Sequence, residues 1–343
     1  MRAVVIEGYG DVDRVVMRDV PRPVAGVGDV VVALKAAALN RLDLFVVGGL
    51  PGITHTFPHI LGADGAGIVE SVGPGVTRVK PGDRVLLNPG LSCGHCEFCL
   101  AGEQSLCVTY GILGEHRTGT CAEAIAVAEA NVWPLPGGVA WSDAAAFPLV
   151  HLTAWRMLTS RANLRPGELV LIWGIGGGVA LAALGIAKLL GARVIVTSGS
   201  DEKLARAKAL GADEAINHRA ADVAKEVRRI SGKRGADVVV DSIGEKTWEA
   251  STRALARGGR LVTCGATTGP MVTTDVRRLF WHHWTIMGST MGNHREFAQI
   301  VALLGRGQLR PVVDRVMTLE EGPEAFRRLA QGEQFGKIVL EVS

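Results

Sequence analysis

The sequence predicts an α/β chain of two domains, one β-rich and one built on a doubly wound, parallel, six-stranded sheet. Three observations carry this. The chain has 343 residues, more than one hydrophobic core usually spans. Near Leu152 its rhythm changes from short strands with dense turns to strands alternating with helix-period segments. The run Gly174-Ile175-Gly176-Gly177-Gly178-Val179 then separates an apolar strand from an apolar helix. A nucleotide-binding sheet begins that way.

The elements follow in order. Ala3–Ile6, Val30–Ala37, Gly65–Val72 and Arg84–Leu87 are β-like runs. Turns such as Gly73-Pro74-Gly75 and Lys80-Pro81-Gly82-Asp83 divide them, so the first domain reads as a small barrel or sandwich. After Leu152, strand-like Leu169–Trp173, Arg193–Thr197, Glu214–Ile216, Asp237–Asp241, Arg260–Cys264 and Thr285–Gly288 alternate with helical stretches. Those stretches are Val179–Leu190, Glu202–Leu210, Ala221–Ile230, Lys246–Leu255 and Thr274–Trp281. Six strands with five crossovers in about 140 residues specify a parallel sheet with helices on both faces. From Met291 onward come helices at Glu296–Gly305 and Gly322–Gln331 and a strand at Lys337–Val342. So short a tail forms no core alone and should complete the first domain. The expected division is therefore 1–150 with 291–343, and 151–290.

Composition excludes several classes. Apolar residues make up 48% of the chain, which rules out a disordered protein. No run of eighteen apolar residues could span a membrane. Met1-Arg2 leads straight into Ala3–Ile6 without a signal-peptide cleavage pattern, so a cytoplasmic location is expected. A net charge of +3, without a long basic block, argues against nucleic acid as a partner. The chain has 28 Arg against nine Lys, and only eleven Asn and Gln together, a thermophile-like bias.

Six cysteines in a cytosolic chain do not suggest disulfides. Four of them, Cys93, Cys96, Cys99 and Cys107, have two, two and seven residues between them, within a lobe at about 90–108. Four thiolates on a short loop close a tetrahedral zinc site with no open position, so one structural zinc per chain is expected. The long last gap disfavours an iron–sulfur cluster. His95 reads as an exposed non-ligand, and Cys121 and Cys264 as packed thiols in strand-like contexts.

The glycine loop lets backbone approach a pyrophosphate at a helix N-terminus. Gly174, Gly176, Gly177, Gly178 and Val179 are its candidate residues. NAD-preferring sites place an acid at the end of the second strand. Here Ser198 stands there, with Ser200, Lys203 and His218 nearby, while Asp201 and Glu202 fall into the helix start. NADPH is therefore favoured, with NADH as the alternative. Cys264-Gly265-Ala266 ends the fifth strand and Ser289 follows the sixth, where such a fold places the nicotinamide.

Taken together, these features resemble the medium-chain dehydrogenase/reductase superfamily, in its zinc-alcohol-dehydrogenase and quinone-oxidoreductase branches. The carrying motifs are Asn40-Arg41-Leu42-Asp43, Leu61-Gly62-Ala63-Asp64-Gly65-Ala66-Gly67, Pro81-Gly82-Asp83-Arg84-Val85 and the cysteine lobe. Leu152-Thr153-Ala154-Trp155, the glycine loop, Leu210-Gly211-Ala212-Asp213 and Phe335-Gly336-Lys337-Ile338-Val339 complete the set. The resemblance implies a GroES-like catalytic domain, a Rossmann domain, hydride transfer with a small-molecule substrate, and a homodimer or homotetramer.

It also exposes departures. Zinc-dependent members carry a ligand cysteine where this chain has Asn40, Gly-His-Glu where it reads Gly62-Ala63-Asp64, and a second cysteine at Leu149. Asparagine, alanine and leucine offer neither thiolate nor imidazole. The expectation is reduction of an enone, quinone or carbonyl without a catalytic zinc. Asn40 would stabilise the developing enolate, beside Asp43 and Asp64. The resemblance makes Thr153 a nicotinamide contact, against helix-start capping, and His151 is either a proton donor or a hinge residue. A relocated metal site at His55, His59 and Asp64, or a non-catalytic nucleotide sensor, are the alternatives.

Overall fold

The computed structural model describes residues 1–343. They form two units, Met1–Leu149 with Gly292–Ser343, and Val150–Met291.

In the first unit the β-branched run in Asp29–Ala38 forms the central strand. It pairs antiparallel with Asp64–Val72, Ala124–Ala128 and Lys337–Glu341. The sheet runs Val132–Pro134, Arg84–Leu87, Asp64–Val72, Asp29–Ala38, Lys337–Glu341, Val313–Thr318. The C-terminal tail thus supplies two strands, and Phe326, Leu329, Ile338 and Leu340 join Val4, Val32, Leu61 and Ile125 in one core. Burial of these side chains, at about 25 cal/mol per Å² of apolar surface, is what returns the chain to this unit. A second sheet joins Val15–Asp19, Arg2–Ile6 and His59–Ile60.

Several elements of this unit are absent from the sequence-based expectation, among them the strands Val15–Asp19, Ala124–Ala128, Val132–Pro134 and Val313–Thr318 and the short helix Trp141–Ala146. The residues from Val46 to Pro58, whose conformation the sequence does not specify, begin as the end of a helix, Arg41–Gly48.

In the second unit six parallel strands stand in the order Glu214–Asn217, Arg193–Ser198, Leu169–Ile172, Ala236–Asp241, Leu255–Thr263, Thr285–Gly288. This is a doubly wound order, with the switch point between Leu169–Ile172 and Ala236–Asp241. Both central strands are buried along their whole length, as helices on both faces require. No helix of the chain is long and apolar enough to cross a membrane.

Candidate active site and nucleotide loop

Strand pairing assembles the polar cluster of the first unit. Val339 lies opposite Ala38 in an antiparallel ladder, so two residues further on Lys337 comes opposite Asn40. Asp64 lies opposite Ala38 on the other side of the same strand. The three side chains meet. Lys337 Nζ donates to Asp64 Oδ2 at 2.9 Å and also to Asn40 Oδ1. Asn40 Nδ2 donates to the same Asp64 oxygen at 2.9 Å, and the backbone N–H of Leu149 donates to Oδ1 at 2.8 Å. Asn40 and Leu149, two of the three altered ligand positions, therefore meet at Asp64, the neighbour of the third, Ala63, and the Lys337 ammonium binds there.

Asp43 completes the cluster. Asn40 begins the helix Arg41–Gly48 in a capping box whose return bond runs from Asn40 N to Asp43 Oδ2 at 2.7 Å. Gly62 N donates to the other oxygen at 3.2 Å. Burial pushes the Asp43 carboxyl up to about 7. The N–H of Asn40 and the Lys337 charge oppose this, Asp64 reinforces it, and Gly62 opposes it.

This geometry corrects the role expected of Asn40. Its Oδ1 accepts from Lys337 and its Nδ2 donates to both Asp64 Oδ2 and Ala38 O, the latter at 3.4 Å, so neither N–H is left for a substrate oxygen. Sequence reasoning also missed Lys337, which reads there only as part of a C-terminal motif.

The relocated metal site does not form. His55 directs Nε2 to Glu115 O at 2.6 Å and Nδ1 to Tyr9 Oη at 2.9 Å, while His59 Nε2 donates to Gly114 O at 2.9 Å. Asp64 belongs to Lys337 instead. The groups that gather as ligands are Cys93, Cys96, Cys99 and Cys107, whose sulfurs all lie within 4.8 Å of one another. Cys96 N donates to Cys93 Sγ at 3.3 Å and Cys93 N to Cys107 Sγ at 3.2 Å; burial raises the Cys107 thiol, but the Cys93 N–H and Thr109 outweigh it and bring it down to about 6. Four sulfurs without an open position fit a structural zinc. His95 is exposed and turns Nδ1 to Cys93 O. Cys121 is packed, but in a bend ahead of Ala124–Ala128, and Cys264 is only half-buried just past its strand.

In the second unit, Gly174 and Gly176 take positive φ of 69° and 116°, which glycine adopts without strain. Gly177 then begins the helix Gly178–Leu189 with no side chain capping it, so its first N–H groups suit an anion. At the end of the second strand Ser198 Oγ accepts from Ser200 N at 3.1 Å, and Ser200 Oγ caps the next helix through Lys203 N at 3.3 Å. Asp201 accepts from Asn217 Nδ2 at 2.7 Å.

Lys203 lies over the loop, its Cδ 3.0 Å from where a Cβ on Gly176 would stand. Arg219 lies closer still to Gly199, with Nε 2.6 Å from the corresponding point. Arg219 escapes sequence reasoning because it follows the third strand, and only sheet order brings it to the second. His218 is exposed, and partial desolvation, with the neighbouring Arg219 charge, keeps its pKa below the usual value.

Thr153 lies inside the helix Pro148–Arg156, not at its start, and its hydroxyl donates to Met291 Sδ at 3.4 Å. His151 is buried on the same helix. Gly265 and Ala266 are exposed after the fifth strand, and Ser289 N donates to Thr263 O at 2.8 Å.

Comparison with known proteins decides the family. Residues 26–137 match the alcohol dehydrogenase GroES-like domain, and residues 178–306 match zinc-binding dehydrogenase. An alcohol dehydrogenase of Geobacillus stearothermophilus is 31% identical over 348 residues, covering 100% of both chains. The chain belongs to the medium-chain dehydrogenase/reductase superfamily. Among solved structures, an NAD-dependent alcohol dehydrogenase is 48% identical with a TM-score of 0.95, again covering 100% of both chains. A crotonyl-CoA carboxylase/reductase in complex with NADP is 26% identical with a TM-score of 0.92, covering 100% of this chain and 95% of that one. This medium-chain dehydrogenase/reductase is an NAD(P)-dependent oxidoreductase, with a GroES-like domain and a Rossmann sheet.

Proposed function

We propose that this enzyme reduces an electron-poor acceptor, an enone, a quinone or an activated carbonyl, with NADPH and without a catalytic zinc. One observation carries the reading: the cluster at Asn40, Asp64 and Leu149 is closed by the Lys337 ammonium and contains no thiolate or imidazole. A divalent cation does not fit beside a buried ammonium at that distance. Acceptors that are already polarised need less Lewis-acid help.

The four cysteines would hold a structural zinc that braces their lobe and takes no part in the chemistry. NADPH is favoured because Lys203 and Arg219 flank the glycine loop and the second strand, whose nearest acid, Asp201, is turned to Asn217. Bound NADPH supplies the hydride. Gly174, Gly176 and Gly177 admit its pyrophosphate, and Arg219 with Ser198 would receive the 2′-phosphate.

Metal analysis should give about one zinc per chain, with turnover surviving mild chelation. A panel of quinones, enones, aldehydes and alcohols, offered with each cofactor, should show NADPH-dependent reduction of the activated acceptors. Two zincs per chain with activity tracking the second, or tight NADPH binding without any turnover, would refute the reading.

A further inference from the structure

The second unit holds a polar joint that the glycine loop does not account for. Ala236–Asp241 and Leu255–Thr263 are parallel neighbours that end together, with Asp241 opposite Thr263. The two segments that leave these strands are fastened to one another. Thr267 donates to Ser242 O through its N–H at 3.4 Å and through its hydroxyl at 3.0 Å. Thr268 donates to Ile243 O in the same double fashion, at 2.8 and 2.9 Å. The Thr268 hydroxyl also accepts from Lys246 N at 3.1 Å, so it is used in both directions. Glu245 N closes the joint on Gly269 O at 3.2 Å. The segments run so close that a Cβ on Gly244, which has a φ of 88°, would stand 2.7 Å from Gly269 O.

One side of the joint is anchored. Asp241 is fully buried and accepts from Ile243 N at 2.8 Å. It also accepts from the hydroxyls of Thr247 and Ser251, on the helix Glu245–Ala254, at 2.9 and 2.6 Å. The other side is an exposed turn at Gly265, Ala266 and Thr267, where Ala266 N has no acceptor in the chain. Carbonyls at an open strand end are satisfied by water, so folding alone does not require two consecutive threonines to cover them. Bracing an exposed turn against a buried acid instead suits a turn that must hold a ligand in place.

Dinucleotide folds divide their cofactor between two halves of the sheet, at the carboxyl ends of the strands. The glycine loop follows a strand of the first half, and the joint ties together the ends of two strands of the second. We propose that Thr267 and Thr268 are positioning residues for the nicotinamide half of the cofactor. They lock the Gly265-Ala266 turn to the segment anchored on Asp241, so that the ring is held in one pose for hydride transfer. The proposal rests on the reading of NADPH as cofactor only through the choice of probe.

The test uses the full-length enzyme as wild type, Thr268→Val, Thr268→Ser and Thr267→Val, with circular dichroism to show that each is folded. Dissociation constants are measured for NADPH and for 2′,5′-ADP, a fragment that lacks the nicotinamide half. Thr268→Val should raise Kd for NADPH about tenfold and leave 2′,5′-ADP within about twofold, while Thr268→Ser keeps both within about twofold of wild type. At saturating NADPH, the fluorescence lifetime of the bound dihydronicotinamide should shorten toward the free value in Thr268→Val and not in Thr268→Ser.

Equal weakening of NADPH and 2′,5′-ADP would mean that the joint serves only the fold, and overturns the proposal. So does a folded Thr268→Val with unchanged NADPH affinity and lifetime. Should Thr268→Val not fold, Thr267→Val decides, because its side chain is exposed. It should weaken NADPH about threefold with 2′,5′-ADP unchanged, and an unchanged NADPH affinity overturns the proposal. If the wild type prefers NADH, the reading of the cofactor fails by itself. NADH and ADP-ribose then replace the two probes, and the same comparison judges the joint.

Discussion

Asp43 gains no ion-pair partner of its own, which is why its acid–base behaviour differs from that of a surface carboxylate. Burial holds it near 7, against an ordinary value of 3.8. Between those two values the folded chain keeps a proton that the unfolded chain has released. The contribution of Asp43 to stability is therefore fully present below about pH 4 and is lost as pH rises toward about 7. In Asp43→Asn that pH dependence disappears, although the capping bond to Asn40 N weakens at every pH. The melting temperature of the variant minus that of the wild type should thus climb between about pH 4.5 and about pH 7.5 in differential scanning fluorimetry. A constant difference would place the titration elsewhere. Arg219 offers a second residue-level test. Removing its guanidinium in Arg219→Ala should lower kcat/KM for NADPH roughly 10- to 100-fold while leaving NADH within about threefold. Equal losses for the two cofactors would show that Arg219 does not read the 2′-phosphate. Neither Arg219 nor Lys337 is legible as a site residue in the sequence. Lys337 reaches its partners across 297 and 273 residues of chain, and a lysine opening a strand reads as surface until the pairing register is known.

Strands and helices are far more legible than side-chain partners, because periodicity is local and pairing is not. The helix expected at Val179–Leu190 forms at Gly178–Leu189, and Gly322–Gln331 forms as read. The unexpected strand Val313–Thr318 lies at a sheet edge and carries Asp314 and Arg315, so its alternation is diluted by charge. A close backbone approach within the first unit's sheet also has a sequence cause. A Cβ on Gly67 would stand 2.1 Å from Ala33 O, a backbone atom of the partner strand. The strands Asp29–Ala38 and Asp64–Val72 can keep their pairing only with glycine there. Gly67→Ala should therefore cost roughly 2–3 kcal/mol. Thermal unfolding should show its transition lowered by about 5 °C or more. Because Asp64 begins the same strand, kcat should fall with it, and unchanged stability and rate would mean that the strands yield easily.

At the scale of the whole molecule, the second unit carries apolar surface that its own core does not use. Met271 is 81% exposed, and Val276, Phe280 and Trp281 on one short helix are 65%, 63% and 66% exposed. The strand that follows, Thr285–Gly288, is the outermost of the parallel sheet, with one edge unpaired. An isolated exposed apolar residue is ordinary, but a group of large ones beside a bare sheet edge marks a surface meant to be covered. Pairing the same strand from two copies about a twofold axis would satisfy the edge and bury both groups at once, since such an interface is self-complementary. The resemblance drawn from the sequence implies a homodimer or homotetramer, and this face is where the physical need for one lies. Light scattering after size exclusion should therefore give at least twice the 36.2 kDa chain mass. Phe280→Glu/Trp281→Glu should shift the mass toward one chain, because two carboxylates per copy would be desolvated in the interface. NADPH binding should survive, since the glycine loop lies elsewhere in the sheet. A wild-type chain that is monomeric at micromolar concentration, or a double variant of unchanged mass, would remove this face as the interface.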